Sequence, residues 1–210
     1  IHSDPKTGIT EIAQPLGPVF AIVPVTNPTS TTLYKILLCL KTRNPIIVSP
    51  HRSASNSCAE AVRVCYEAAL SAGAPEDCIQ LVVTGKREFT EKLMSHPGVA
   101  LILATGGTGL VSAAYSSGNP AIGVGPGNVP VFIDDSADIP FAVSNIISSK
   151  TFDNGTICAS EQSIVVTKLI AGKVKDEFLR QHCYFLNPEE IRQVEKIALA
   201  PGQLTMSPFI

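Results

Sequence analysis

The chain is poor in charge. Only 16% of its 210 residues are Asp, Glu, Lys or Arg, and the 16 basic and 18 acidic residues leave a formal net charge of −2. That balance excludes the basic face on which a dedicated nucleic-acid binder depends. Because 45% of the residues are apolar, low charge here does not mean disorder, which needs few apolar residues and a high net charge. No polar-free run approaches the roughly 18 to 20 residues of a membrane helix. The opening IHSDPKTG lacks the basic-then-apolar order of a secretory signal. Internal repeats and low-complexity segments are absent too, as is tryptophan. The six cysteines, Cys39, Cys58, Cys65, Cys78, Cys158 and Cys183, contain no C-x-x-C pair, which weakens zinc-ribbon and thioredoxin readings. Without a secretory signal, a disulfide framework is not expected in a chain this long. Five of the six read as small buried apolar residues, and the setting reads as cytoplasmic.

What is present is alternation. After a polar, Pro- and Gly-marked lead-in over residues 1–17, short aliphatic runs alternate with helical patterns. Strands are predicted at 18–25, 45–50, 79–85 and 99–107, with further extended runs at 120–127 and 129–134. Helices are predicted at 29–41, 55–72, 88–95, 108–117 and 137–150. The core stripe of the first is read as Leu33, Ile36, Leu37 and Leu40. That of the second is read as Ala59, Val62, Cys65, Tyr66 and Ala69, with Gly73 as its stop. Strand, helix, strand at this spacing indicates an α/β fold with a mostly parallel sheet covered on both faces. Its ligand edge lies at the strand C-termini. After residue 150 the texture changes to a polar loop around Cys158, a strand at 163–168 and helices at 171–182 and 188–199. The second of these opens on Asn187-Pro188. The expected division is therefore 1–148 and 149–210, the second part being an α/β unit begun and not finished. The tail LTMSPFI is apolar without a visible partner, and the whole reads as a piece of a larger enzyme.

Three places carry candidate chemistry. Asn27 follows the first strand and precedes a proline, so it reads either as an Asn-Pro turn or as an amide donor facing the edge cleft. Thr105-Gly106-Gly107-Thr108-Gly109 follows a strand and opens a helix, where backbone N–H groups favour a phosphate. Gly123-x-Gly125-x-x-Asn128 lacks the third glycine of a dinucleotide fingerprint and precedes a strand, so it fails its context test. His51, after the second strand, reads as a solvated loop residue before a ligand. Cys158 lies in Phe152-Asp153-Asn154-Gly155-Thr156-Ile157-Cys158, a polar loop unlike the apolar runs that hold structural cysteines. A nucleophilic thiol needs such access.

Taken together, these stretches resemble the aldehyde dehydrogenase superfamily. The similarity is to its CoA-acylating branch and, there, to the aldehyde dehydrogenase part of the bifunctional aldehyde–alcohol dehydrogenases. It is carried by residues 23–35, 40–51, 101–131 and 149–166, and it is loose beyond 167. The resemblance implies a Rossmann-like nicotinamide-binding domain followed by the start of an α/β catalytic domain. It implies Cys158 as nucleophile, with Asn27 and the Cys158 backbone amide as oxyanion donors. It implies a cofactor site for NAD from Pro24, Thr26, Ser49, Pro50, His51, Thr105, Gly106, Gly107, Gly109, Gly123 and Gly125. It further implies coenzyme A and a short-chain aldehyde, acetaldehyde by default, as substrates. A homo-oligomer is implied in the intact protein, with fusion to an iron-dependent alcohol dehydrogenase domain in the bifunctional members. No metal, nucleic acid or membrane partner is expected for this part.

Two departures refine the expectation. Hydrolytic members carry Glu-Leu-Gly-Gly where this chain has Gly123-Val124-Gly125-Pro126, so the carboxylate that activates water is missing. Water without a positioned base is a poor nucleophile at neutral pH, whereas a thiol is a good one. The common Lys-Pro after the second strand is Ser49-Pro50 here, which leaves NAD against NADP open. The competing readings are a hydrolytic enzyme using another base such as Glu161, an acyl-phosphate reductase, and a nucleotide-binding or assembly module inactive alone.

Overall fold

The computed structural model describes residues 2–83 and 87–199. In chain order the elements are strands β1 (His2–Asp4), β2 (Ile9–Glu11) and β3 (Val19–Val23), helix α1 (Pro28–Lys41), and strand β4 (Ile46–Pro50). Helix α2 (Ser55–Ser71), strand β5 (Ile79–Leu81), helix α3 (Arg87–Met94), strand β6 (Leu101–Thr105) and helix α4 (Thr108–Tyr115) come next. Then come strands β7 (Ala121–Val124) and β8 (Val129–Ile133), helix α5 (Ile139–Thr151), strand β9 (Glu161–Val166), and helices α6 (Ala171–Arg180) and α7 (Pro188–Ala198). The fold is α/β, as the alternation predicts. The apolar tail at 204–210 and the last residues of the strand expected at 79–85 lie outside the described residues.

The chain forms two compact units. The first comprises residues 1–127 with 156–158, the second 128–155 with the residues after 158. The expected boundary at 148 falls inside the second unit, within α5. The reason is β8, which leaves the large sheet and pairs in parallel with β9. The strand at 129–134 thus groups with the C-terminal part of the chain, and α5 with it.

In the first unit a five-stranded sheet runs in the order β5-β4-β3-β6-β7, and every neighbouring pair is parallel. The order reverses between β3 and β6, the first strand on each side of the crossover, where such sheets open a crevice at their carboxyl edge. Central strand β3 is buried at every position. Its side chains alternate with period two: Val19, Ala21 and Val23 join the core with Ile36, Cys39, Val48, Cys58 and Val62. Phe20 and Ile22 join the opposite core with Ile102, Ala104, Met94 and Ala114. A strand buried on both faces must read as a continuous aliphatic run, and VFAIV does.

Two sequence expectations need correction. The lead-in is not featureless: β1 and β2 pair antiparallel. The Asp4 carboxylate accepts from the Lys6 N–H at 2.9 Å and from Thr7 Oγ1 at 2.9 Å, and Gly8 takes a φ of 68° that closes the turn. The buried face of α1 is also rotated from the leucine stripe. It consists of Thr32, Lys35, Ile36 and Cys39, while Leu37 is 62% exposed. In α2 the buried set is Cys58, Ala61, Val62 and Ala69, with Cys65 and Tyr66 against the same core. Gly73 adopts a φ of 85° just beyond that helix, the left-handed stop expected of it.

Lys35 is the unusual member of the core, 4% exposed. Its Nζ donates to the Ile22 carbonyl at 2.7 Å and to the Leu103 carbonyl at 2.8 Å. Burial pushes its pKa down to about 8, opposed only in part by Cys39 one turn away. The same apolar surroundings push the Cys39 thiol up to about 11, so this cysteine stays protonated and inert.

In the second unit α5 and α6 cover one face of the β8–β9 pair through Ile133, Val143, Ile146, Val174 and Phe178. Helix α7 opens with a capping box. Asn187 Oδ1 accepts from the Glu189 and Glu190 N–H groups, and the Glu190 carboxylate accepts from the Asn187 N–H at 2.8 Å.

Two stability outcomes are expected. An unfolded lysine titrates near 10.4 and the folded Lys35 near 8, so the unfolded state holds more protons between those values. Stability therefore rises with pH across that window, and the cost of burying the charge is fully present below pH 8. Urea denaturation at pH 7.5 and pH 10 should show a gain in wild type exceeding that of Lys35→Met by about 2 to 3 kcal/mol. Asn187→Ala should lower stability by about 1 kcal/mol, read by the same titration at pH 7.5.

Candidate active site

Because the five strands are parallel, the segments that leave their C-termini emerge on one edge. They carry nearly every residue singled out from the sequence. Val23 leads through Pro24 and Thr26 to Asn27, and Pro50 to His51. Thr105 leads into Gly106 and Gly107, and Val124 into Gly125.

Asn27 stands at the N-cap of α1 with non-helical backbone, and Pro28 occupies the first helical position. Its side chain does not cap the helix. Instead its Oδ1 accepts from Thr31 Oγ1 at 3.2 Å and, more weakly, from Thr26 Oγ1 at 3.5 Å. These bonds occupy the carbonyl end of the amide and leave the Nδ2 hydrogens without an acceptor among the described residues. A half-buried amide engaged only through its oxygen keeps its N–H donors free, and such a donor is what a developing oxyanion needs.

The glycine segment after β6 is equally defined. Gly107 is the N-cap of α4, and no side chain caps that helix. A Cβ built on Gly107 or Gly109 would meet nothing within 4 Å, so both face open space. Free N–H groups at an uncapped helix start, with no side chain in the way, fit the phosphate of a nicotinamide dinucleotide. Gly106 and Gly123 serve packing. A Cβ on Gly106 would lie 2.6 Å from Leu110 Cδ2, and one on Gly123 would lie 2.6 Å from Val111 Cγ1 and 3.0 Å from Tyr115 Cε2. Helix α4 can approach β7 only because residue 123 has no side chain, and the Gly123 N–H donates to the Tyr115 hydroxyl at 3.0 Å. This packing also explains the broken fingerprint: its first glycine answers to a helix already in place. Gly125 is half-buried.

On the β4 side, Ser49 is buried and only 5% exposed, Pro50 is half-buried and His51 is exposed. The His51 Nδ1 accepts from the Ser53 N–H at 3.3 Å and caps a short 3₁₀ turn over Arg52–Ala54, so part of this histidine's role is local.

The Cys158 loop leaves α5 through three consecutive left-handed residues: Asp153 (φ 49°), Asn154 (φ 54°) and Gly155 (φ 71°). Asp and Asn tolerate this region better than other side chains. Gly155 is the position that most favours glycine, since its φ strains any side chain and a Cβ there would lie 3.1 Å from the Lys150 carbonyl oxygen. Thr156–Cys158 then pack with the first unit, the one that carries Asn27 and the glycine segment. Cys158 is exposed, whereas Cys39, Cys58 and Cys78 are buried and Cys65 and Cys183 are partly so. Glu161, the alternative base, begins β9 in the second unit. There it lines a hollow of about 190 Å³ together with Lys150, Phe178 and Cys183. Its Oε2 is buried and has no hydrogen-bond partner among the described residues.

Three participants escape a reading of the sequence: Thr31, which orients Asn27, Tyr115, which holds Gly123, and Lys35. The signal for Lys35 was available, because Thr32, Lys35, Ile36 and Cys39 also recur at helical spacing. The leucine stripe beside them was the more apolar choice. Among the described residues no group of three His, Cys, Asp or Glu side chains could hold a metal ion, and no helix is long and apolar enough to cross a membrane.

Known proteins match this arrangement over most of its length. The family model described as the aldehyde dehydrogenase family matches residues 1–183. The aldehyde-alcohol dehydrogenase 2 of Entamoeba histolytica is 52% identical over 196 residues, 93% of this chain and 22% of that protein. The bifunctional aldehyde-alcohol dehydrogenase of Escherichia coli K12 is 48% identical over 204 residues, 97% of this chain and 23% of that protein. Among solved structures, an acetylating aldehyde dehydrogenase from Geobacillus thermoglucosidasius superposes with a TM-score of 0.82 at 53% identity. That match covers 92% of this chain and 43% of the other. The chain thus spans about a quarter of the length of these curated relatives. Its parallel sheet flanked by helices agrees with that match, and the chain belongs to the aldehyde dehydrogenase family.

Proposed function

We propose that this chain carries the nicotinamide-binding part and the nucleophile of an NAD-dependent, CoA-acylating aldehyde dehydrogenase. In this reading the first unit, which holds the five-stranded sheet, binds the cofactor, and the second unit begins the catalytic domain. The enzyme interconverts acetaldehyde plus CoA with acetyl-CoA. The observation that carries the reading is the pairing of an exposed Cys158 with an Asn27 amide whose oxygen is already engaged, both in one unit of the fold. The acylating neighbour from Geobacillus supports the same chemistry.

The Cys158 thiolate attacks the aldehyde carbon, and the carbonyl oxygen becomes an oxyanion that takes hydrogen bonds from Asn27 Nδ2 and the Cys158 N–H. Thr31 holds the Asn27 amide in register, so the donor needs no reorganisation as charge develops. The uncapped start of α4 and the open space at Gly107 and Gly109 accommodate the cofactor phosphates. A nicotinamide held at that segment would supply the hydride acceptor for the thiohemiacetal carbon. What remains on the protein is an acyl thioester on Cys158 Sγ. The segment Gly123-Val124-Gly125-Pro126 offers water no carboxylate base. The CoA thiolate therefore attacks the acyl carbon, the C–Sγ bond breaks, and the Cys158 thiolate is restored.

The reading extends to a cytoplasmic, homo-oligomeric enzyme of which this chain is one part, fused to an iron-dependent alcohol dehydrogenase part as in the proteins it resembles. That part would reduce the aldehyde further.

Two outcomes test the proposal in the full-length protein. NADH formation from acetaldehyde should require CoA. CoA-independent NADH with free acid as product would transfer the reaction to the hydrolytic reading, with Glu161 as the first base to replace. Cys158→Ala should abolish acyl transfer, and Asn27→Ala should lower kcat by about 10² to 10³ while leaving cofactor binding near wild type. Full activity of both variants in the same steady-state assay would remove them from the reaction.

A further inference from the structure

Among the described residues Lys35 is the one charged side chain buried at the switch point of the sheet, and it touches both strands that meet there. Its Nζ donates to Ile22 O, on the penultimate residue of β3, and to Leu103 O, two residues before the end of β6. The chain leaving β3 reaches Asn27 five residues after Ile22. The chain leaving β6 enters Gly106-Gly107, the start of α4, directly after Thr105. Lys35 also sits on α1, whose first turn holds Asn27 through Thr31. One amine therefore ties together the base of the oxyanion donor, the base of the cofactor segment and the helix between them.

A packing role does not account for this choice. A buried lysine is costly, and an apolar side chain of the same length would fill the space without desolvating a charge. The amine is suited to the task in either protonation state, since ammonium has three N–H donors and the neutral amine two, against two carbonyl acceptors. Cys39, one turn further along, contributes no reactivity, being buried and protonated.

We infer that Lys35 is a positioning residue that sets the spacing between Asn27 and the Thr105–Gly107 segment by bridging the carbonyls of Ile22 and Leu103. The oxyanion donor Asn27 and the cofactor segment Thr105–Gly107 leave these two strand ends, so a loosened seam misplaces one against the other. Displacements of about 1 Å away from the reacting atoms are enough to cost about 10²-fold in rate. The inference rests on the proposed site and adds to it a residue that touches neither substrate nor cofactor.

The test uses Lys35→Met in the full-length protein, with three readouts: thermal midpoint, NADH affinity by fluorescence titration, and kcat with KM for NAD and for CoA. Expected are a midpoint unchanged or raised, NADH binding weakened about tenfold, kcat lowered about tenfold or more, and KM for CoA within about twofold of wild type. Lys35→Gln, a shorter side chain that keeps N–H donors, should fall between Met and wild type in NADH affinity. A lowered midpoint with unchanged NADH affinity and kcat would make Lys35 a structural residue only. Failure of both variants to fold would overturn the inference as well, because it holds that the lysine is not needed for stability. If the wild-type protein forms NADH without CoA, the acylating reading fails, while the NADH titration still decides the role of Lys35.

Discussion

The parallel seam between β3 and β6 is the constraint on which the rest of the first unit depends. Both strands are short, and β3 is buried on both faces, so neither can shift without moving two cores at once. Interiors packed at crystal-like density do not absorb such shifts gradually. Whatever leaves the C-terminal ends of these strands is thereby placed. Asn27 and the glycine segment inherit their positions from the sheet, and a few side-chain hydrogen bonds supply the remaining orientation. The buried Lys35 amine sits on this seam at a cost in stability, so geometry there is worth more to the protein than an unbroken apolar core.

The same logic explains why the glycines differ from one another. Gly107 and Gly109 face open space, whereas Gly106 and Gly123 leave room for α4 itself. Gly155 serves a third need, a backbone conformation and a close approach at once. A sequence shows five glycines in a Gly-rich region and a loop, and only the contacts around each separate ligand space from packing space.

Much of the architecture was legible beforehand because it rests on periodicity. The five parallel strands and the helices between them are announced by short aliphatic runs bounded by turn residues, and the observed bounds lie within a few residues of the expected ones. Three features were not legible, each for a physical reason. The β1–β2 hairpin is held by an aspartate turn and a positive-φ glycine, with no apolar pattern to announce it. The departure of β8 from the large sheet is decided by its pairing with β9, some thirty residues away, which no local pattern encodes. The buried face of α1 was misjudged because hydrophobicity alone favoured Leu33 and Leu37 over a face containing a threonine and a lysine. Of the site, the cysteine loop and Asn27 stood out by residue type and placement. Thr31 holds Asn27 through a bond local to the start of α1, and the Lys35 bonds to Ile22 and Leu103 exist only once that helix is docked on the sheet.

The run of three left-handed residues before Thr156 has a consequence for how this loop can change over time. Asp153 and Asn154 occupy a region that few side chains accept, and Gly155 abuts the Lys150 carbonyl at the end of α5. A β-branched or bulky residue at 153 or 154 asks the backbone to leave that region, and a side chain at 155 crowds the end of α5. Positions 153 and 154 are therefore open to exchange among Asp, Asn and Gly and nearly closed to other residues. The exposed Cys158 thus follows, three residues on, a run of backbone that admits few side chains.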